Sequence, residues 1–178
     1  MEPISVAKVS TRLGEFTVRC SERGICEIAF GVRPPGKESG NGRASNGHVP
    51  GRGQERRGQA AARSLEWSRR AARELQEYAA GERKKFTVPL DLQGTSFQRK
   101  VWSALRTIPY GQTRSYGEIA RQVGNPRAAR AVGMANHENP VAVVVPCHRV
   151  IAGDGSLGGY AGGLQKKSRL LELEKSRA

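Results

Sequence analysis

Residues 115–135 read SYGEIARQVGNPRAARAVGMA, and the fold turns on how this stretch is read. Ser115 is an N-cap residue, and Glu118 three positions on completes a capping box: the serine oxygen accepts from an early amide while the glutamate reaches back to the cap. A helix is therefore predicted over Tyr116–Val123, stopped by Gly124. Pro126 suits the start of a further helix carrying Ala128, Ala129, Val132 and Ala135. Two short helices around one glycine turn form a helix-turn-helix, whose second member is the one that enters a groove of DNA. That second helix is built from Ala, Val and Gly, so its backbone can approach a duplex while Arg127 and Arg130 reach phosphates or bases. An ordinary helical hairpin is the alternative.

Charge decides between them. The 178 residues carry 30 Lys/Arg against 16 Asp/Glu, a formal net charge of +14. The excess is spread along the chain, 17 against 11 in residues 1–96 and 13 against 5 in residues 97–178. Such a surplus points to a polyanionic partner, because each neutralised phosphate releases counterions. Nucleic acid leads, an anionic membrane surface comes second, and mere solubility is the third reading. No run of 18 apolar residues exists, so no spanning helix is expected. Three cysteines and an N-terminus without the apolar core of a secretion signal fit a reducing, cytoplasmic setting.

Upstream of the helix pair, Ser96 can cap a helix in which Phe97, Val101, Trp102 and Leu105 share one face, ending before Pro109 and Gly111. Residues 61–80 place Leu65, Ala72, Leu75 and Ala79 at helical spacing, with Gly81 as the stop. Phe86–Leu90 reads as one more strand, at an edge because Pro89 offers no ladder donor. Three strands near Ile4–Val9, Glu15–Cys20 and Ile25–Phe30, turned at Gly14 and Gly24, form an antiparallel meander. Residues 34–59 are nearly free of large apolar side chains and are read as a mobile loop. Two units follow: an α/β N-terminal domain over 1–93 and a mainly α, DNA-binding domain over 94–178.

The chemistry lies just downstream, in NPVAVVVPCHRVI at 139–151. The apolar run fits a buried strand whose ladder Pro146 ends, bringing Cys147 to the mouth of a pocket. An unperturbed thiol is only a few per cent thiolate at neutral pH, so a nucleophilic cysteine needs a base or a positive field, and His148 and Arg149 offer both. Neighbours on an extended chain point to opposite sides, so a turn or a bridging water must intervene between Cys147 and His148. The imidazole needs an acceptor to fix its tautomer, and Glu172 and Glu174 are both candidates. The glycine-rich AGDGSLGGYAGG at 152–163 can wrap a flat ligand but has no nucleotide-binding pattern. Three Cys and three His show no paired metal-ligand spacing, so neither metal nor cofactor is expected.

Pro146-Cys147-His148-Arg149-Val150-Ile151 resembles the active-site signature of the O(6)-alkylguanine-DNA alkyltransferases. The resemblance continues through Phe97-Gln98, Val101-Trp102, Ile108-Pro109-x-Gly111, Ser115-Tyr116, Arg130-Ala131-Val132-Gly133, Asn139-Pro140, Gly159-Tyr160 and Leu170-Leu171, covering residues 94–175. It implies an N-terminal domain of ribonuclease H-like α/β fold and a winged-helix-like C-terminal domain that binds the minor groove of double-stranded DNA containing O(6)-alkylguanine. Arg130 would enter the stack as the damaged nucleotide leaves, with Ala129, Ala131 and Gly133 beside it on the DNA. Cys147 would be the alkyl acceptor, activated through water by His148, which a C-terminal glutamate orients. Spacing from the Leu-Leu pair makes that glutamate Glu174. Asn139 would brace the turn before the cysteine, Tyr116 would donate to the guanine ring, Val150 would offer backbone contacts, and Tyr160 would wall the pocket. A monomer used once is implied. Ala161 stands where many relatives have a serine near the guanine oxygen, and Ala142 replaces a proline of some relatives.

Overall fold

A computed structural model of the chain describes residues 4–31 and 52–177. Strands β1 (Ser5–Thr11), β2 (Gly14–Ser21) and β3 (Gly24–Phe30) form the expected antiparallel meander in the order β1-β2-β3. Alternation turns Val9, Phe16, Val18, Cys20, Ile25 and Ile28 into the core. Gly24 has φ 145°, and a Cβ there would stand 2.2 Å from the Pro89 carbonyl oxygen. That close approach exists because the Ile25 amide donates to Pro89 O at 2.8 Å and the Asp91 amide donates back to Ile25 O at 2.8 Å.

The strand expected over Phe86–Leu90 does not form, and only Leu90 bridges to Ile25. Proline offers no donor, and the amides of Thr87 and Val88 are drawn instead to the Glu74 carboxylate at 2.7 and 3.4 Å. Helix α1 (Arg52–Ala80) lies against the sheet and begins earlier than expected, so residues 52–59 are helix and not loop. Arg, Gln and Glu occupy six of these eight positions and are good helix formers, enough to carry the helix through Gly53 and Gly58 once its later turns are anchored by packing. The rest of the loop expectation, 34–51, falls outside the described residues. The buried face of α1 holds Leu75 and Ala79 as expected but is shifted elsewhere: Ser64, Ser68, Ala71 and Tyr78 also point inward, while Leu65 is 45% exposed. Small serines fit the seam because Ser64 and Ser68 return their hydroxyls to the carbonyls of Ala61 and Leu65, both at 3.0 Å.

Helix α2 (Ser96–Leu105) is capped by Thr95, one residue before the expected Ser96, with Gln98 completing the box. Strand β4 (Arg114–Ser115) leads into α3 (Tyr116–Gln122), where Ser115 and Glu118 form the expected capping box. Gly124 ends the turn with φ 83°. Helix α4 (Ala129–His137) starts three residues after Pro126, so Arg127 belongs to the turn and not to the helix. Helices α2, α3 and α4 pack together, and the Trp102 indole donates to Ala135 O at 2.9 Å. Helix α5 (Leu164–Ser176) closes the described chain.

The apolar run at 139–151 is not one strand. Val141 bridges to Ile28 of the sheet, Val143 takes φ 73°, Cys147–Arg149 make a single 3-10 turn, and β5 (Val150–Ile151) pairs in parallel with β4. Asn139 supplies the reason. Its Oδ1 accepts from the Val141 amide at 3.0 Å and its Nδ2 donates to Val145 O at 2.8 Å, so one side chain folds the run back on itself. Pro146 withholds the donor that a continuing ladder needs. Among the described residues, no helix is long and apolar enough to cross a membrane.

Candidate active site

Cys147 opens the 3-10 turn and is 7% exposed. The amide of Asn139 donates to its Sγ at 3.1 Å, the same nitrogen that holds Val145. The imidazole makes no direct bond to the sulfur among the described residues, so a bridging water is still required between them. The turn carries His148 inward to full burial while Cys147 keeps an open side. There His148 Nε2 lies 2.9 Å from Glu174 Oε1.

Glu174 is the hub. It accepts from Arg149 Nε and Nη2 at 2.8 Å each, from the Tyr78 hydroxyl at 2.5 Å and from the Gly111 amide at 3.1 Å. Arg149 also donates to Ile108 O at 2.6 Å. Glu172 is exposed and accepts from Ser168, so of the two candidate glutamates only Glu174 meets the imidazole. Tyr78 was not foreseen. It comes from α1, far away in sequence, and a tyrosine on an amphipathic helix gives no sign of its hydroxyl's partner.

Burial pushes the Cys147 thiol up, against the Asn139 hydrogen bond and the Lys167 charge that favour thiolate. Burial likewise holds His148 below its usual value, with Glu174 opposing. At Glu174 burial works upward but is outweighed by the bonds from His148 and Arg149, which hold the carboxyl well below the usual carboxylate range. The resting site therefore pairs a neutral thiol with a neutral imidazole and an ionised carboxylate. A carboxylate only accepts, so Nε2 carries the imidazole proton and Nδ1 is the basic nitrogen. Nδ1 is buried with no protein partner among the described residues.

Cys147 faces a cavity of about 670 Å³, room enough for a nucleoside, lined also by Tyr116, Arg130, Gly133, Tyr160 and Ala161. Ala129 of α4 lines it too, whereas Ala131 is exposed on the same helix and lies outside the lining. The Tyr116 hydroxyl donates to Gly159 O at 3.4 Å. Val150 is buried and also outside the lining; its carbonyl accepts from Lys167 Nζ at 2.6 Å. Lys167 is itself buried and donates to Leu157 O and to Gly159 O, pinning both limbs of the glycine-rich loop. Among the described residues, no three His, Cys, Asp or Glu stand close enough to hold a metal ion.

Fold and site together define a thiol-dependent protein on a helix-turn-helix scaffold of the kind that binds nucleic acid. The comparisons with known proteins narrow the class. Residues 4–92 match the "6-O-methylguanine DNA methyltransferase, ribonuclease-like domain", and residues 96–176 match the DNA binding domain of the same family. The chain belongs to the 6-O-methylguanine DNA methyltransferase family. A methylated-DNA--protein-cysteine methyltransferase of Mycobacterium bovis is 64% identical over 108 residues, which span 61% of this chain and 66% of the relative. One from Methanosarcina acetivorans is 59% identical over 111 residues, spanning 62% and 71%. A crystal structure of Mycobacterium tuberculosis OGT in complex with DNA superposes with a TM-score of 0.72 at 43% identity, covering 96% of this chain and 92% of that one. The sheet with α1 and the helical C-terminal part correspond to the family's two domains.

Proposed function

We propose that the protein repairs double-stranded DNA by transferring the alkyl group of O(6)-alkylguanine to Sγ of Cys147, each molecule acting once. The observation that carries this reading is Cys147 at the edge of a nucleoside-sized cavity, held by Asn139 and followed by the His148–Glu174 pair. Arg130 sits on α4 at that cavity, with Ala129 and Gly133 beside it and Ala131 on the exposed side. The helix enters the minor groove, and Arg130 fills the stack as the damaged nucleotide swings out. Extrusion costs a few kcal/mol and is needed because a base inside the duplex keeps its reacting atoms out of reach.

The flipped purine lies between Tyr116 and Tyr160. The thiol proton passes through water to His148 Nδ1, and Glu174 stabilises the imidazolium that forms. Asn139 stabilises the developing thiolate. Sulfur attacks the alkyl carbon, the C–O6 bond breaks, and its electron pair leaves with guanine, which Tyr116 supplies with a proton. Burial keeps the Tyr116 hydroxyl protonated until then. A thioether offers no good leaving group, so the step does not reverse. Residues 1–93 make up the N-terminal domain and residues 94–178 the DNA-binding domain, the two joined through a shared core. The protein works as a monomer in the cytoplasm, where a reducing medium keeps the Cys147 thiol available.

Incubation with a duplex bearing O(6)-methylguanine should add one methyl mass to the peptide containing Cys147, with at most one equivalent per molecule. Cys147→Ser should abolish transfer and keep DNA binding, because a hydroxyl is a far weaker nucleophile of similar size. Multiple turnover, or methyl on another residue, overturns the mechanism. An unchanged protein mass with a reduced thiol leaves only DNA recognition.

A further inference from the structure

A further cavity, of about 490 Å³, opens where the two domains meet and shares no lining residue with the one at Cys147. Lys84, Lys85, Phe86 and Val88 line it from the N-terminal domain, and Arg106 and Arg149 from the DNA-binding domain. Val143 and Pro146 of the folded-back run complete the wall, whereas Cys147 is outside it, so this cavity lies behind the reactive turn.

Its charge is of one sign. Among the described residues no acidic side chain lines it, and four cations converge on one concave surface. Two of them crowd a single ring: Lys84 Nζ stands 5.6 Å, and Arg149 Cζ 5.7 Å, from the Tyr110 ring centroid. Arg149 is matched by Glu174, but Lys84, Lys85 and Arg106 enter no ion pair among the described residues. Arg83, their neighbour in sequence, is by contrast held by Glu77 at 2.6 Å and Glu74 at 3.8 Å. Glu77 and Glu82 share an adjoining surface depression with the two lysines, outside this cavity. A cleft lined by one sign of charge and backed by apolar walls focuses the field and concentrates counter-ions.

We propose that this cavity binds a small phosphate-bearing ligand of mononucleotide size. The phosphate meets Lys84 and Lys85 as point charges and Arg106 as a planar fork, a set suited to phosphate oxygens. The body of the ligand lies on the apolar wall of Phe86, Val88 and Val143. A closed concavity of this size favours a compact ligand over a continuous DNA backbone, which needs an open groove. The inference stands apart from alkyl transfer, because none of the groups that meet the purine or the sulfur lines this cavity. A ligand here touches both domains, and binding only the folded chain it stabilises that chain by mass action.

Isothermal titration calorimetry of the full chain at low salt tests the site, with AMP, inorganic phosphate and a short undamaged duplex as the three titrants. AMP should bind saturably with one equivalent, and about tenfold more tightly than inorganic phosphate because its base buries apolar surface. Lys84→Gln with Lys85→Gln should weaken AMP binding by tenfold or more, roughly the loss of two hydrogen bonds made by charged groups. Arg63→Gln with Arg69→Gln removes the same charge from exposed positions of α1 outside the cavity and should leave AMP binding nearly unchanged. All four positions are exposed, so the variants fold. Absence of saturable AMP binding, or equal losses in the two double variants, overturns the site. Phosphate binding as tight as AMP denies the apolar wall its part. Loss of duplex affinity in Lys84→Gln with Lys85→Gln, with no AMP bound by the parent, assigns this face to the DNA backbone and overturns the small ligand.

Discussion

Glu174 joins four other residues, and the sign of its shift fixes how the protein responds to acid. Its folded pKa lies below its unfolded value, so its contribution is complete above the ordinary carboxylate range and is lost as pH falls through the folded value. His148, also depressed, favours the fold fully above its ordinary 6.5 and withdraws that support as the solution turns more acid. Thermal melts taken across pH should therefore show the midpoint falling first below about pH 6.5 and again in the carboxylate range. Glu174→Gln should shrink the lower stage and cost about 3 kcal/mol at neutral pH, measured by urea denaturation, because Arg149 is left buried without its counter-charge. A loss well under 1 kcal/mol would mean that Arg149 finds another partner. Cys147 and His148 were legible from six residues of sequence. Glu174 needed a family resemblance to separate it from Glu172, and Tyr78 was invisible, because its importance lies in a partner set by tertiary packing.

At the scale of elements, the legible parts are those whose cause is local. The box at Ser115 and Glu118 and the left-handed stop at Gly124 are written within a few residues and form as read. Ser115→Ala should lower stability by about 1 kcal/mol through loss of that cap, seen as a shifted urea midpoint with an unchanged slope. What escaped the reading has non-local causes. The valine-rich run at 141–145 has every mark of a strand, yet Asn139 ties its two ends together and Val143 bends to suit. On the inner face of α1 the helical spacing picks out Leu75 and Ala79 correctly but not Leu65, in whose place Ser64 and Ser68 are buried with their hydroxyls paired within the helix. Thr95 displaces Ser96 as a cap by a single position, a distinction the pattern does not resolve.

Over the whole molecule, the charge of +14 governs how DNA is met before any lesion is found. Affinity for undamaged duplex should fall linearly in a plot of log K against log salt, with a slope reporting the number of phosphates neutralised. Fluorescence anisotropy between about 50 and 200 mM salt measures it, and a flat plot would deny phosphate contacts their leading part. The same scale shows how the two halves depend on each other. The Tyr78 hydroxyl leaves the long amino-terminal helix to close the carboxylate cluster behind the reactive turn. A screen for repair-deficient mutants would thus recover changes in α1, none of whose described side chains lines the cavity at Cys147, and a carboxy-terminal fragment expressed by itself would carry the cysteine with the carboxylate cluster behind it left ajar.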